Sequence, residues 1–128
     1  MWIPDSPREA GLDRLLAIGC ATHAVRRHCG TMLLSRSEGG PPSLVRDGPD
    51  LREVERVLGT GGVFAHREDG VEILREGLAR RAPRSLAPHV PVLTVDGSYI
   101  LAAAGLLATH DEEAAARLLR HELVRAKD

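Results

Sequence analysis

The sequence predicts a small α/β domain. Two short apolar segments, residues 57–58 and 92–95, stand on either side of a helical pattern, which is the order of a β-α-β unit. Helix-capping sequences begin at Ser6, Asp69 and Thr109. A β-α-β unit normally joins parallel strands. We therefore expect a short mixed sheet that contains this unit and is flanked by about four helices.

The first helix has the clearest start. Ser6 and Glu9 form a capping box with Pro7 at the first helical position, and Gly30 marks the expected end. Apolar and small residues recur at helical spacing along one side of this helix, which is predicted to be buried. That side comprises Leu12, Leu15, Leu16, Gly19 and His23.

A strand is expected at residues 32–34, followed by a loop. Residues 36–50 are rich in Ser, Gly, Pro and Asp, so we expect a flexible loop here. Leu44 and Val45 are the apolar pair within it, and they allow a second interpretation as the return strand of a loose hairpin.

The second half alternates again between helix and strand. Asp69 and Glu72 cap a helix that should run to about Arg81, and the β-branched residues 92–95 predict a buried strand. Asp96-Gly97 is interpreted as a simple turn. Residues 100–108 predict an apolar helix, and a capping box at residues 109–112 starts the last one. The residues expected to point inward from the last helix are Leu118, Leu119 and Leu123.

Composition limits the kinds of partner. The chain has 128 residues, near the common domain size, and is read as a single domain. Its formal net charge of -1 does not favour binding to nucleic acid or to an anionic membrane surface. The start shows no secretory pattern, and the longest apolar stretch falls short of a membrane span. We expect a cytoplasmic protein.

The cysteines and histidines suggest zinc binding or cysteine-dependent hydrolysis, but their positions in the sequence favour neither. Cys20, His23, His28 and Cys29 are close in sequence, but they lack the spaced pairs typical of zinc sites. Cys29 lies near a helix C-terminus, where the helix dipole disfavours the thiolate that a cysteine hydrolase needs. Both cysteines are expected to be reduced, small and buried.

The best candidate site is the glycine turn, which we define as Gly59, Thr60, Gly61 and Gly62. It directly follows a predicted strand, and in α/β sheets ligands bind beyond the carboxyl ends of strands. Glycine lets another group approach the backbone closely, and free amides suit phosphate or sugar oxygens. The turn is neither a P-loop nor a dinucleotide fingerprint, so its glycines alone do not define the ligand.

Five blocks of sequence resemble a known family. Residues 28–30, 46–51, 57–66, 73–74 and 96–107 read HCG, RDGPDL, VLGTGGVFAH, IL and DGSYILAAAGLL. In order and spacing they are similar to the C-terminal part of the glutamate mutase (methylaspartate mutase) accessory protein family, also called MutL. The resemblance spans roughly residues 20 to 120.

The resemblance implies a partial actin-like ATPase fold, of the superfamily that includes sugar kinases and DnaK-type chaperones. In that superfamily two α/β halves close over ATP or ADP with Mg²⁺. Gly59, Thr60, Gly61 and Gly62 would then lie beside the adenosine, with the Thr60 hydroxyl binding a ribose or phosphate oxygen. Family members are thought to reactivate a cobalamin-dependent mutase.

The chain departs from the family in lacking the upstream phosphate-binding segments. We therefore expect weak adenine nucleotide binding, no ATPase activity of the chain alone, and Mg²⁺ only with the missing half. An apolar surface should be left for the missing N-terminal half or for self-association. The alternative is a protein-interaction domain in which the glycine turn is purely structural.

Overall fold

The computed structural model describes residues 4–36 and 40–125, with side chains to residue 121. Its elements are α1 (Pro7–His28), β1 (Thr31–Ser35), β2 (Ser43–Asp47), β3 (Arg56–Gly59), α2 (Gly62–Ala65), α3 (Gly70–Ala79), β4 (Val92–Val95), α4 (Leu101–Ala108) and α5 (Glu112–Arg125).

The α/β class is confirmed. The chain was read as a single domain, and the structure divides it into two compact units, one of residues to Glu55 with Ile73–Pro91, the other of Arg56–Glu72 with residues from Val92 onward.

Helix α1 begins and ends close to where the sequence predicts. The backbone N–H of Glu9 donates to the Ser6 hydroxyl over 3.3 Å, and Pro7 occupies the first turn. The helix ends at a cap on Cys29, one residue before Gly30, where the Cys29 N–H donates to the Val25 carbonyl.

The predicted buried side of α1 is wrong. Leu12, Leu15 and Leu16 are 51%, 56% and 65% exposed, and His23 is exposed as well. The side that is buried has Ala17, Ile18 and Thr22 at its centre. The physical reason is close helix packing: a Cβ on Gly77 of α3 would lie 2.6 Å from that of Ala21, so only small residues fit there.

An ion pair and an apolar core complete the first unit. Arg14 of α1 is bonded to Glu76 of α3. The buried apolar side chains contributed by α3 and the segment that follows it are Ile73, Leu74, Leu78, Leu86 and Ala87.

Strands β1 and β2 form an antiparallel hairpin, with Leu34 opposite Leu44. Strand β2 therefore lies within residues 36–50, where we expected a loop, and the hairpin interpretation describes this part of the segment. The flexibility of the remainder stays a prediction. Glycine is required at two positions that flank the hairpin. Gly48 has a φ of +87°, and a Cβ on Gly30 would lie 2.6 Å from the carbonyl oxygen of Asp47.

Strands β3 and β4 are parallel, as the β-α-β unit predicts, and pair from Arg56 with Val92 to Gly59 with Val95. The four strands form two separate two-stranded sheets rather than one mixed sheet. Val92 is 55% exposed, whereas the sequence predicts a buried strand. A sheet of two strands covers little of its own surface, which explains the difference.

Helices α4 and α5 follow β4 in the second unit. The cap of α5 is Asp111, whose carboxylate accepts from the Ala114 N–H over 2.9 Å, so the predicted cap at Thr109 is wrong. The Thr109 hydroxyl instead donates backward to the Leu106 carbonyl at the end of α4. Ala104 and Ala115 are the buried residues of this pair of helices, while Leu118 is 36% exposed rather than inward. Leu119 is half buried, and the side chain of Leu123 lies outside the described residues.

No helix in the described part of the chain combines the length and the apolar character that a membrane crossing requires.

Candidate functional site

The predicted site residues come together at the carboxyl ends of β3 and β4. Gly59 and Val95 are the last paired residues of the two parallel strands. The glycine turn follows the first strand and Asp96 follows the second. The Asp96 N–H donates to the Gly59 carbonyl over 2.8 Å, so the two ends are held side by side.

Asp96 is the central residue of this site, and it is not among the site residues predicted from the sequence. Its side chain is only 3% exposed. One carboxylate oxygen accepts from the Thr60 hydroxyl over 3.0 Å and from the Leu101 N–H over 3.1 Å; the other accepts from the Ile100 N–H over 3.0 Å. The one local signal was an aspartate just before an apolar helix, which is a capping pattern.

The hydrogen bonds decide the charge of Asp96. Burial by itself raises the pKa of this carboxyl, because a low-dielectric environment disfavours the ion. The donors act in the opposite direction: the N–H groups of Ile100 and Leu101, the Thr60 hydroxyl and the backbone at Tyr99. Their combined effect is larger, so the pKa of Asp96 lies below its ordinary value and the group is ionised at neutral pH.

The three glycines of the turn differ in why glycine is needed. A Cβ on Gly59 would lie 3.2 Å from the Phe64 ring, and Gly61 has a φ of +121°, which side chains rarely adopt. Gly62 has neither constraint: its φ is ordinary, and no atom of the described residues lies within 4 Å of the position of a Cβ. Packing and conformation within the described chain therefore explain Gly59 and Gly61 but not Gly62.

The backbone of the turn offers unused hydrogen-bond donors. Among the described residues, the N–H groups of Thr60, Gly61 and Gly62 donate to no acceptor. Adjacent free N–H groups suit phosphate, carboxylate or carbonyl oxygens. A nucleotide carries such oxygens on its phosphates and its sugar. N–H groups do not ligate a cation such as Mg²⁺, and the Asp96 oxygens beside them already accept from three donors.

Tyr99 lies in the segment that joins β4 to α4. Its φ is 54°, in the left-handed region, which costs a residue with a side chain on the order of 1 kcal/mol. Its N–H donates to the Asp96 carbonyl, and its ring is 55% exposed. The bonds around Asp96 thus keep a strained turn in place next to the glycines.

Neither cysteine is buried as the sequence predicts. Cys20 is exposed rather than buried, and Cys29 is half buried, with burial raising the pKa of its thiol. Within the described residues, His, Cys, Asp and Glu do not gather in a group able to hold a metal ion. His66 is exposed, and its N–H closes α2 by donating to the Gly62 carbonyl.

A polar cleft of about 410 Å³ lies in the first unit, lined by Asp50, Arg52, Glu53 and His89. Arg52 is paired with Asp50 through two side-chain bonds of 2.9 and 2.7 Å, and this pairing lowers the pKa of Asp50 to about 2. The main cation of the cleft is therefore already neutralised.

Fold and site together define a small α/β protein with an amide-lined glycine turn at the ends of two parallel strands. A model of the MutL protein family matches residues 1–123. Protein MutL of Clostridium tetanomorphum is 33% identical over 126 residues, which cover 96% of this chain and 27% of that protein. No solved structure matches the chain.

The chain belongs to the MutL protein family, the glutamate mutase accessory family that the five sequence blocks resemble. It spans about a quarter of the length of this curated relative.

Replacing Asp96 by Asn tests the electrostatic role of the carboxylate. Asn offers a donor where Asp96 accepts bonds, so we expect Asp96→Asn to lower the free energy of unfolding by about 1 to 3 kcal/mol. Because the folded-state pKa is lowered, the stabilisation is complete above the unfolded-state pKa of about 3.9 and is lost as pH falls through the folded value. Urea unfolding between pH 7 and pH 2.5 should show that the free energy of unfolding falls less on acidification in the variant than in the wild type.

The matched control is Asp111→Asn, since Asn caps a helix as well as Asp does, and little change is expected. If the free energy of unfolding fell equally with decreasing pH in the wild type and in Asp96→Asn, the ionised state assigned to Asp96 would be contradicted.

Proposed function

We propose that this chain is the adenosine-side part of a nucleotide-binding accessory protein for a cobalamin-dependent glutamate mutase. Membership in the MutL family supports the accessory role. The observation that carries the nucleotide part is the glycine turn itself, where three N–H groups have no acceptor and Gly62 leaves an open space that no described residue fills.

Each part of the turn has a definite role in this proposal. The free N–H groups of Thr60, Gly61 and Gly62 bind oxygens of ATP or ADP, and the bare Cα of Gly62 lets the nucleotide rest on the backbone. Parallel strands that end at a glycine turn also agree with the actin-like arrangement, which we retain as a proposal. Contact with one side of a nucleotide makes binding weak.

Hydrolysis is not expected from the chain alone. Phosphoryl transfer needs a metal ion, held in place, and an oriented nucleophile. Asp96 has its oxygens committed to protein donors, so it performs neither task. The Mg²⁺ site, and the nucleotide-driven motion that would reactivate the mutase, belong to the rest of a MutL protein in this proposal.

The partner that we propose for the first unit is this remaining part of a MutL protein. In the first unit, Leu12, Leu15 and Leu16 are exposed at helical spacing on one side of α1, and we call these three residues the leucine surface. The β1–β2 hairpin adds exposed apolar side chains on both of its faces, namely Leu33, Leu34, Leu44 and Val45. A surface of this kind normally packs against another protein segment. The match covers 27% of the curated relative, so nearly three quarters of that protein lies outside it, and this remainder is the partner that we propose for the leucine surface.

The second candidate is an interaction domain in which the turn is purely structural. It is favoured by the specific reasons for Gly59, Gly61 and Thr60, namely the Phe64 ring, a positive φ and the bond to Asp96. Gly62 separates the two candidates, because nothing structural requires it.

Nucleotide titration of a Gly62→Val variant is the corresponding test. We expect ADP at about ten times its dissociation constant to stabilise the wild type by about 1.4 kcal/mol, measured as a thermal shift. In Gly62→Val the new side chain occupies the space left for the nucleotide. The shift should disappear while the free energy of unfolding stays within about 1 kcal/mol of the wild type.

Gly11→Val is the control, since Gly11 also has no atom within 4 Å of a Cβ, and this variant should keep the ADP shift. No shift in the wild type at millimolar ADP would support the interaction domain instead. ATP turnover above background would contradict the absence of hydrolysis.

A dye that binds apolar surfaces tests the leucine surface. The isolated chain should bind more dye per residue than intact Protein MutL of Clostridium tetanomorphum and should self-associate in light scattering. Leu16→Lys should reduce both, with little effect on stability because Leu16 is 65% exposed. Val90→Lys is the control, since Val90 is 93% exposed and lies outside the surface. A monomer that binds no dye would rule out this surface.

A further inference from the structure

Strand β2 has an open outer edge. The outer edge of β1, on the other side of the hairpin, is partly occupied: the Met32 N–H donates to the Arg84 carbonyl over 3.0 Å. Next to this bond, Thr31 pairs with Ser85 in an antiparallel bridge. Among the described residues, only β1 pairs with β2, and all five residues of β2 are exposed. An open strand edge of this kind can pair with a strand of another chain.

The direction of the Met32 N–H shows which groups of β2 face outward. In an antiparallel ladder, opposite residues alternately bond to each other and point away from each other. Met32 lies opposite Arg46, but its N–H goes to Arg84 instead. The pairs Met32–Arg46 and Leu34–Leu44 are therefore the non-bonded ones. The N–H and C=O groups of Arg46 and Leu44 consequently point to the open edge, where the described residues offer them no partner.

Two copies of β2 match each other in one antiparallel register. A symmetric antiparallel pair has its two-fold axis at a single residue, because opposite residues lie on the same face of the sheet. With the axis at Val45, Leu44 lies opposite Arg46 of the second copy, so the outward N–H and C=O groups bond to each other. Ser43 lies opposite Asp47 of the second copy, and its hydroxyl can donate to that carboxylate.

The neighbouring symmetric registers are less favourable. With the axis at Leu44, Arg46 would lie opposite Pro42, which has no N–H to donate. With the axis at Arg46, two guanidinium groups would lie opposite each other, and like charges in this position are destabilising. Pro42 before the strand and Gly48 after it, with a φ of +87°, also limit the pairing to β2 itself.

The register centred on Val45 also joins apolar side chains. Val45 lies opposite Leu33 within the hairpin, and the two are 49% and 48% exposed. Across the axis Val45 meets Val45 of the second copy, which gives a continuous apolar row over both hairpins. An isolated two-stranded hairpin is marginally stable, whereas a wider sheet with an apolar face is not. Pairing two copies therefore stabilises the hairpin of each.

We propose that this chain forms a homodimer by antiparallel pairing of the outer edges of two β2 strands, with the two-fold axis at Val45. The inference goes beyond the proposed function, since it depends neither on nucleotide binding nor on the leucine surface, which lies on α1. One short strand from each copy makes a small interface, so the dimer is weak and forms as the concentration rises.

Amide hydrogen exchange at increasing protein concentration tests the pairing. The experiment uses Leu16→Lys, so that association through the leucine surface does not contribute. The N–H groups of Leu44 and Arg46 should exchange more slowly at millimolar than at micromolar concentration, because they become bonded across the interface. The Val45 N–H, which faces Leu33, should be protected at every concentration. Unchanged exchange at Leu44 and Arg46, or a chain that stays monomeric in sedimentation, would overturn the proposal.

Substitutions at Val45 test the position of the axis. Val45→Lys and Val45→Glu each place like charges opposite each other and should weaken dimerisation about 10-fold in sedimentation. An equimolar mixture of the two should restore it, since opposite charges then face each other. Leu34→Lys is the matched control, because Leu34 is 46% exposed and lies on the other face of the hairpin, on β1. This control should still dimerise.

A dimer that Val45→Lys leaves intact would place the interface elsewhere and overturn the proposal. A mixture of the two folded Val45 variants that shows no recovery would overturn it as well. The exchange experiment leaves β2 unaltered, so it does not depend on whether the Val45 variants fold.

Discussion

The buried carboxylate of Asp96 links parts of the second unit that are distant in sequence. It joins three segments: the glycine turn through the Thr60 hydroxyl, the end of β4 that carries it, and the start of α4 through the Ile100 and Leu101 N–H groups. A buried charge is costly unless it is well supplied with donors, and here every partner is a donor. The same bonds that keep the carboxylate ionised also set the position of the glycine turn.

The sequence predicted the positions of helices and strands better than it predicted which of their side chains are buried. Helix starts at Ser6 and after Asp69, and the parallel pair β3–β4, follow from local signals such as caps, β-branched content and the β-α-β order. The predicted buried side of α1 was wrong because burial depends on a neighbour: α3 packs against the side where Gly77 lets Ala21 come close, and Leu12, Leu15 and Leu16 remain exposed. The spacing of apolar residues within α1 does not reveal which side α3 packs against.

The glycine turn was found from sequence, and its partner was not. Three glycines after an apolar run are conspicuous, whereas Asp96-Gly97 resembles an ordinary turn. Thr60 and Asp96 are 36 positions apart, so only the pairing of β3 with β4 brings them together. Within the glycine turn, the φ of Gly61 and the Phe64 ring beside Gly59 explain two of the glycines, whereas neither conformation nor packing among the described residues explains Gly62.

Backbone amide chemical shifts of the 15N-labelled chain during an ADP titration test the account most directly, because the claim concerns particular N–H groups. We expect the largest changes at Thr60, Gly61 and Gly62, whose N–H groups have no acceptor in the described chain. Changes confined to the polar cleft at Asp50, Arg52 and His89, or no changes at the glycine turn, would contradict it.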